Sequence, residues 1–543
     1  MTRSILKKMR FILPVVFIAL ALTSFRYDFF EIAKQIEIYN SLFKEINMSY
    51  VDKTDPAKLM EKGVKHMLSE LDPYTVYSTE QDVQDAKIYR SGIYVGIGAK
   101  LRVINKKLFI EEPYKGLSAD EAGLKAGDEI IRINGVALAE SFELADILLN
   151  GKKNSSVNIT FKRGKNEKEV ELVRNERALK AVPLYQMTDN NIGYIALERF
   201  SRGAAKEVES ALKFLLIDEA KGLILDLRNN PGGILQEAVD IVNLFVPKNQ
   251  LVVSTRSNIE QYNTQFFTQN QPLSEDIPLI VLVNERSASA SEIVAGALQD
   301  LDRAVIVGNR SFGKGLVQRP KPLPYGAQVK ITISRYYIPS GRCIQALDYR
   351  ERIESGEAKR IDKKDYKAFK TKNGRNVLDG GGINPDVITN TADNFDIVSN
   401  LRDNNLFFLF SIDYSSKNTL KDLNNFEIDS SVFEAFSSFC FSRGFSLNTN
   451  TEKYLEKAIG FSEEEGLISV KSSFEDVKKS IEKEKFSAFE YSKNRILWNL
   501  SKEIIKQNFY REGMHQYSLQ NNNTIKKAIT LLNDLPTYYS HLR

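Results

Sequence analysis

Leu279-Ile-Val-Leu-Val-Asn-Glu-Arg-Ser-Ala-Ser-Ala-Ser-Glu-Ile-Val-Ala-Gly-Ala-Leu-Gln-Asp300 reads as three pieces in a row. The opening run is continuously apolar and short, as in a buried strand. A turn of small residues follows, carrying Ser287, Ser289 and Ser291. A helix then puts Ile293, Val294, Ala297, Leu298 and Leu301 on one face. A serine at such a strand-to-helix turn is exposed, and the helix N-terminus favours negative charge developing beside it. Serine is also a preferred N-cap, so three serines at a helix start are read first as caps. A nucleophile needs a base within reach.

Working outward, the same rhythm runs from 190 to 390. Strands are predicted at Ile192–Leu197, Gly222–Leu227 and Ala304–Val307, with helices near 203–217, 234–245 and 289–301. Strand Gln328–Tyr337 follows. A Lys-rich stretch at 350–378 reads as a solvated insertion before Gly381-Gly-Ile-Asn-Pro-Asp-Val387.

The chain has three histidines, His66, His515 and His541, and none lies near a nucleophile-like motif. A lysine can act as base instead when burial keeps it neutral. The candidate is Lys314 in Gly308-Asn-Arg-Ser-Phe-Gly-Lys-Gly-Leu-Val-Gln318, where flanking glycines let the backbone turn sharply. Two other patterns overlap this stretch. Gly308-x4-Gly313-Lys314 nearly spells a phosphate-binding loop, but Gly315 stands where a Ser or Thr should hold magnesium. Ser311-x-x-Lys314 matches a β-lactamase spacing that requires a helix, and its glycines oppose one. A third segment, Asp226-Leu-Arg-Asn-Asn-Pro-Gly-Gly233, ends a buried strand in a glycine turn whose N–H groups suit an oxyanion.

Residues 91–175 have another texture: β-rich runs at Ile93–Leu101, Leu108–Glu111, Glu129–Ile133, Val157–Arg163 and Glu169–Val173, with one helix at Phe142–Leu149. Ala122-Gly-Leu-Lys-Ala-Gly-Asp-Glu-Ile-Ile-Arg-Ile-Asn-Gly135 closes a turn, runs a strand and ends on an Asn-Gly hairpin signal. This segment resembles a PDZ domain. The resemblance implies a carboxylate-binding loop at Gly96, Ile97 and Gly98, with the peptide adding as a strand beside it.

The N-terminus carries Lys7, Lys8 and Arg10 ahead of the apolar run Phe11–Leu22, which is shorter than the ~20 residues a spanning helix needs. It is expected to be a signal peptide with an Ala19-Leu20-Ala21 cleavage pattern, or else an uncleaved anchor. Export follows, to a bacterial periplasm or to an inner membrane with the chain facing the periplasm. Helical spacing marks residues 31–90 (Ile32, Ile36, Tyr39; Leu59, Val64, Met67) and the last 150 residues (Phe474, Val477, Ile481; Ile496, Leu500, Ile504).

Composition bounds what remains. The 543 residues are 42% hydrophobic and 27% charged, enough for about three to four domains with real cores. A net charge of +5 spread over both signs does not point to nucleic acid. Two distant cysteines, Cys343 and Cys440, form no disulfide framework, and no HExxH or CxxC pair offers metal ligands, so neither metal nor cofactor is expected.

In order, the PDZ-like segment, Asn-Asn-Pro-Gly-Gly, Ser-Ala-Ser-Ala-Ser-Glu-Ile, Phe-Gly-Lys-Gly-Leu-Val-Gln and Gly-Ile-Asn-Pro-Asp-Val resemble the carboxyl-terminal processing proteases, peptidase family S41, across roughly residues 30–390. The resemblance implies an α/β multidomain chain: a crotonase-like α/β spiral protease core, a β-rich PDZ domain, and helical N- and C-terminal regions. The expected boundaries are 1–25 leader or anchor, 26–90 helical, 91–175 PDZ, 176–390 protease and 391–543 helical accessory. The resemblance makes Ser289 the nucleophile, Lys314 its base and Gln318 the residue orienting the lysine. It also implies an oxyanion site at Gly232 or Gly233 with the Ala290 amide. Asp300 matches an acidic position left without a role. The function implied is an exported serine endopeptidase acting on protein or peptide substrates with free apolar C-termini, with an adaptor and a homo-oligomer left open. The alternative is an inactive PDZ-containing envelope binding protein, and a phosphate-loop nucleotide binder comes third.

Overall fold

A computed structural model describes residues 29–79, 83, 93–139, 142–352, 358–389, 397–418, 420, 422–423, 426–445 and 449–543. The expected leader, residues 1–25, lies outside them. The chain divides into two compact units, Met1–Tyr77 and Ser78–Arg543.

The first unit holds helices at 29–49 and Pro56–Ser69. Asp55 caps the second by accepting the Lys58 N–H at 3.1 Å, and Pro56 sits in the first turn, where an N–H would have no helical acceptor. Tyr39 Oη reaches Met60 Sδ at 3.1 Å and joins the two helices. The break at Leu71–Tyr74 is a turn organised by Asp72, whose carboxylate accepts the N–H groups of Tyr74 and Thr75 at 2.8 Å.

The second unit opens with an antiparallel sheet of strands Ala99–Ile104, Lys107–Pro113, Glu129–Ile133, Ser156–Arg163 and Asn166–Val173, in that order. Val157, Ile159 and Phe161 alternate inward along one strand and pack with Ile110, Ala119 and Ile133. The Asn134-Gly135 hairpin forms with both residues at positive φ, 50° and 79°. The run predicted as one strand over Ile93–Leu101 is two. Gly98 turns the chain at φ +83°, and Ile93–Gly96 pairs instead with Asn175–Ala178. A side chain at Gly98 would meet Leu117 Cβ at 2.6 Å, so the break is enforced by close packing.

The central sheet consists of β1 (Leu184–Met187), β2 (Ile192–Ala196), β3 (Gly222–Asp226), β4 (Leu279–Val283), β5 (Val305–Gly308) and β6 (Val387–Ile388). Spatial order equals chain order; β1 is antiparallel to β2 and every later pair is parallel. Helices α1 (Ala204–Ile217), α2 (Leu235–Asn243) and α3 (Ala290–Asp300) lie between β2 and β5 in the chain. Parallel connections are right-handed, so strands in sequential order send all three helices to one face. There Leu223, Leu225, Val281 and Ile306 pack against Val208, Leu212, Ile241 and Val294. A second, antiparallel sheet joins Leu251–Arg256 to Thr264–Phe267 and Gln328–Tyr337, and the last of these to Leu316–Pro322.

The stretch at 350–378 is not simply solvated. Its described residues contribute to hairpins Leu347–Arg352/Ala358–Arg360 and Ala368–Lys370/Asn376–Leu378. Arg375 anchors it to the core through Asp302 at 2.6 Å and Asp386 at 2.7 Å.

Beyond residue 397 the chain is helical. Phe407, Phe410, Phe433 and Phe436 build a core of their own with Ile496, Leu500 and Ile504. The end of the chain does something else. Helices Asn523–Asn533 and Leu535–Ser540 cover the second face of the central sheet, where Ile525, Ala528, Leu532 and Tyr538 pack on Tyr194, Ile224, Ile280 and Val305. Tyr538 Oη also bonds the Leu279 backbone at both N–H (2.8 Å) and carbonyl (3.0 Å). In helix Lys493–Asn521, Arg511 donates to Glu112 of the PDZ-like sheet at 2.8 Å and to Glu198 after β2 at 2.6 Å. The helical region therefore holds both other parts of this unit.

Candidate active site

The Ser289 turn leaves β4 and enters α3. Its three serines differ in what their hydroxyls do. Ser287 Oγ donates to the Leu227 carbonyl at 2.8 Å, and Ser291 Oγ to the Asn230 carbonyl at 2.9 Å; both are buried. Ser289 Oγ donates to none of the described residues and is partly exposed. Its backbone is strained, with φ 55° and ψ −112°. A non-glycine residue in such a region costs of order 1–3 kcal/mol and persists only where its surroundings impose it. The same kind of strained strand-to-helix turn presents a nucleophile in the G-x-S-x-G elbow.

The Lys314 turn follows β5, next to β4 in the sheet. Two side chains join it to the Ser289 turn. Glu292, in the first turn of α3, accepts the Ser289 N–H at 2.8 Å and the Lys314 N–H at 2.9 Å on one oxygen. Its other oxygen accepts from Ser311 Oγ at 2.5 Å and the Gly313 N–H at 2.7 Å. Tyr336 Oη lies between the two turns, its single proton shared between the Lys314 carbonyl and, at 3.3 Å, the Ser289 carbonyl. Ser289 and Lys314 are thus fastened to each other through both amide and carbonyl. Glu292 is wholly buried, and burial pushes its carboxyl up to about 7 against the four donors, which favour the ionised form.

This arrangement excludes a phosphate cradle at Gly308–Lys314. The amides of Asn309, Ser311 and Phe312 go to the carbonyls of Val283, Ile383 and Ser287, and those of Gly313 and Lys314 go to Glu292. A carboxylate of the protein already fills the anion position. Ser311 is likewise committed to Glu292 and sits on no helix.

The glycine turn after β3 lies against Ser289. A side chain at Gly232, which has φ +97°, would come within 2.9 Å of both the Ala290 nitrogen and Ser289 Cβ. Only a bare backbone fits there. The Gly232 N–H donates to Asn230 Oδ1 at 2.9 Å, and Asn230 also receives the Ala288 N–H on its carbonyl at 3.1 Å. Gly233, at φ +153°, backs onto the Phe200 carbonyl. Ala290 opens α3, so its N–H has no acceptor within the helix. Gln318 follows a register shift in its strand, and its amide donates to Thr332 Oγ1 at 3.3 Å.

Other sequence candidates fall elsewhere. Asp300 is at the far end of α3 and holds Arg342 at 2.8 Å and the Ser340 N–H at 2.9 Å, a structural pairing. Gly96 ends the strand paired with Asn175–Ala178, and Ile97 and Gly98 form the bend leading into the PDZ-like sheet, where the Ile97 carbonyl accepts the Ala119 N–H at 2.9 Å and the Gly98 carbonyl accepts the Tyr114 N–H at 2.8 Å. Among the described residues Ala99–Ile104 pairs with a strand on one side only. Cys343 and Cys440 are free thiols. Among the described residues, no group of three or more His, Cys, Asp or Glu side chains could hold a metal, and no helix is long and apolar enough to cross a membrane. Glu292, Tyr336 and Asn230 were missed from sequence. Only Glu292 had a signal, as the acidic N3 partner in the Ser289-x-x-Glu292 capping-box pattern.

Known proteins match the chain in three segments. Residues 191–354 match the model of peptidase family S41, residues 95–173 that of the PDZ domain, and residues 397–532 that described as "Probable PDZ-protease, C-terminal helical domain". A "Probable CtpA-like serine protease" of Staphylococcus haemolyticus is 33% identical over 313 residues, 57% of this chain and 63% of the relative. One of the same description from Staphylococcus aureus strain COL is 34% identical over 309 residues, 56% of this chain and 61% of the relative. The chain thus spans about three fifths of the length of these curated relatives. Among solved structures, a photosystem II D1 C-terminal processing protease aligns at 24% identity and TM-score 0.35, covering 65% of this chain and 92% of that one. The tricorn protease aligns at 18% identity and TM-score 0.26, covering 54% and 27%.

Proposed function

We propose that this chain, whose residues 191–354 match the model of peptidase family S41, is an exported serine endopeptidase that uses a Ser289–Lys314 dyad and recognises substrates by their C-termini. One observation carries the dyad: Glu292 and Tyr336 hold the strained, partly exposed Ser289 and the Lys314 turn together.

The chemistry is acyl transfer. Lys314 in its unprotonated form takes the Ser289 proton, and Oγ attacks the peptide carbonyl. The oxyanion is received by N–H groups at Ala290 and Gly233, since Asn230 already holds the Gly232 N–H. The protonated lysine gives its proton to the leaving amine, and water then hydrolyses the acyl-enzyme. Gln318 orients Lys314 after leaving Thr332, its partner in this structure. The core is one turn of the crotonase-type α/β spiral. A substrate's free, apolar C-terminus enters at Gly96–Gly98 and adds as a strand along Ala99–Ile104, whose outer edge supports that reading. The basic and apolar start of the sequence directs the chain to the periplasmic side.

Purified protein is expected to degrade unfolded substrates with apolar C-termini. Ser289→Ala and Lys314→Ala should each lower kcat by at least about 10⁴-fold with unchanged circular dichroism. Undiminished cleavage by either variant would remove the dyad.

A further inference from the structure

The carboxyl ends of β2, β3, β4, β5 and β6 open into a cavity of about 790 Å³, on whose far side stand Arg402, Trp498 and Lys502 of the C-terminal helices. In open parallel sheets this edge is where ligands are held. Neither Ser289 nor Lys314 lines the cavity, which meets the Lys314 turn instead at Asn309, Arg310, Ser311 and Phe312.

Its charge is one-sided. Seven Arg and Lys side chains line it against three carboxylates. Two of those carboxylates are already paired, Glu198 with Arg511 and Asp226 with Arg228, and the third, Glu285, is exposed. Among the described residues Arg310 meets only neutral groups, Tyr366 Oη at 3.2 Å, Asn384 Oδ1 at 3.3 Å and the Tyr366 ring. The Lys502 ammonium lies 5.4 Å over the Trp498 ring, with no carboxylate of the described residues in ion-pair range of it. Burial, then the nearby Arg402 and Arg228, push Lys502 down to about 8. Cations gathered in a sheltered space repel one another unless an anion joins them.

We infer that this cavity binds a compact multivalent oxyanion, through Arg310 on the core side and Lys502 on the helical side. The guanidinium fork suits phosphate or carboxylate oxygens, and the ammonium supplies a second point charge. Ser311 lines the same cavity and its hydroxyl donates to Glu292, so the site is one side chain removed from the turns bearing Ser289 and Lys314. Binding alone tests it, so its failure and failure of the proteolytic reading are separable.

The experiment is thermal unfolding of the full chain titrated with pyrophosphate or with citrate, against sodium chloride at matched ionic strength. A saturable rise of several degrees in Tm is expected with at least one of the two. Pyrophosphate alone acting identifies a phosphate ligand, citrate alone a carboxylate ligand, and both acting a site that selects charge. Lys502→Gln and Arg310→Gln should each weaken the apparent affinity at least tenfold. Lys502→Gln should also leave the anion-free Tm equal or higher, because it relieves the crowding; a merely structural lysine would lower it. No saturable shift with either anion, or shifts unchanged in both variants (an adventitious ion only), overturns the inference.

Discussion

One face of the central sheet is covered by α1, α2 and α3, which the chain inserts between its own strands; the other is covered by the last helices of the chain. The first cover follows from connectivity, because right-handed crossovers between sequential parallel strands can only land on one side. The second has no such guarantee. Strands β2, β3, β4 and β5 are buried throughout, so the opposite face must also be shielded from water. Ile525, Ala528, Leu532 and Tyr538 do this. The matched S41 segment ends at residue 354, and alone it would leave Tyr194, Ile224, Ile280 and Val305 uncovered. The end of the helical region is thus part of the central sheet's own core.

The largest test of this comparison removes the second cover outright. A chain ending at Asn521 should lose cooperative unfolding and expose apolar surface to a hydrophobic dye. Retention of the full-length Tm would show that the last helices only rest on the sheet.

A smaller effect compares the faces one side chain at a time. Leu212 on α1 and Ile525 at the chain's end are both fully buried. Each change to Ala should cost about 2–5 kcal/mol in denaturant unfolding, with no systematic difference between faces. A cost below about 0.5 kcal/mol at Ile525 alone would make the second cover loose.

The smallest effect concerns one buried carboxyl at each face. Burial holds Glu292 on α3 near 7, above its ordinary 4.5. The folded state therefore keeps its proton longer, and stability should fall as pH rises from about 4.5 to about 7, by on the order of 2 kcal/mol. Asp226 on β3 is also buried, but Arg228 and Tyr194 more than offset the cost and hold it below its ordinary 3.8. Its contribution is present above 3.8 and lost as pH falls through the lowered value. Glu292→Gln should flatten the neutral limb of a stability–pH curve and Asp226→Asn the acid limb. A neutral limb unchanged by Glu292→Gln would place that titration elsewhere.

How much of this was legible beforehand varied by residue. Strands β2 to β5 and helices α1 to α3 stood out because their apolar runs and periodicities are local properties. Ile93–Leu101 did not divide at Gly98 from sequence alone, because the cause is the approach of Leu117 from another part of the chain. The stretch at 350–378 reads as solvated because Arg375 looks like any surface charge until Asp302 and Asp386 are placed beside it. Glu292 carried a faint capping-box signal, but its grip on Gly313 and Lys314 spans two strand ends.

By itself the sequence determined the alternation of strands and helices, the small-residue turn at Ser289, the glycines that admit a close backbone at 232–233, and the absence of a histidine near Ser289 in sequence. These are matters of residue type and spacing. Only the tertiary structure decided which of three serines donates its hydroxyl to none of the described residues, which carboxylate joins the Ser289 turn to the Lys314 turn, and which helices close the sheet's second face. Each depends on groups distant in sequence meeting at hydrogen-bond or van der Waals range, and no local pattern encodes that meeting.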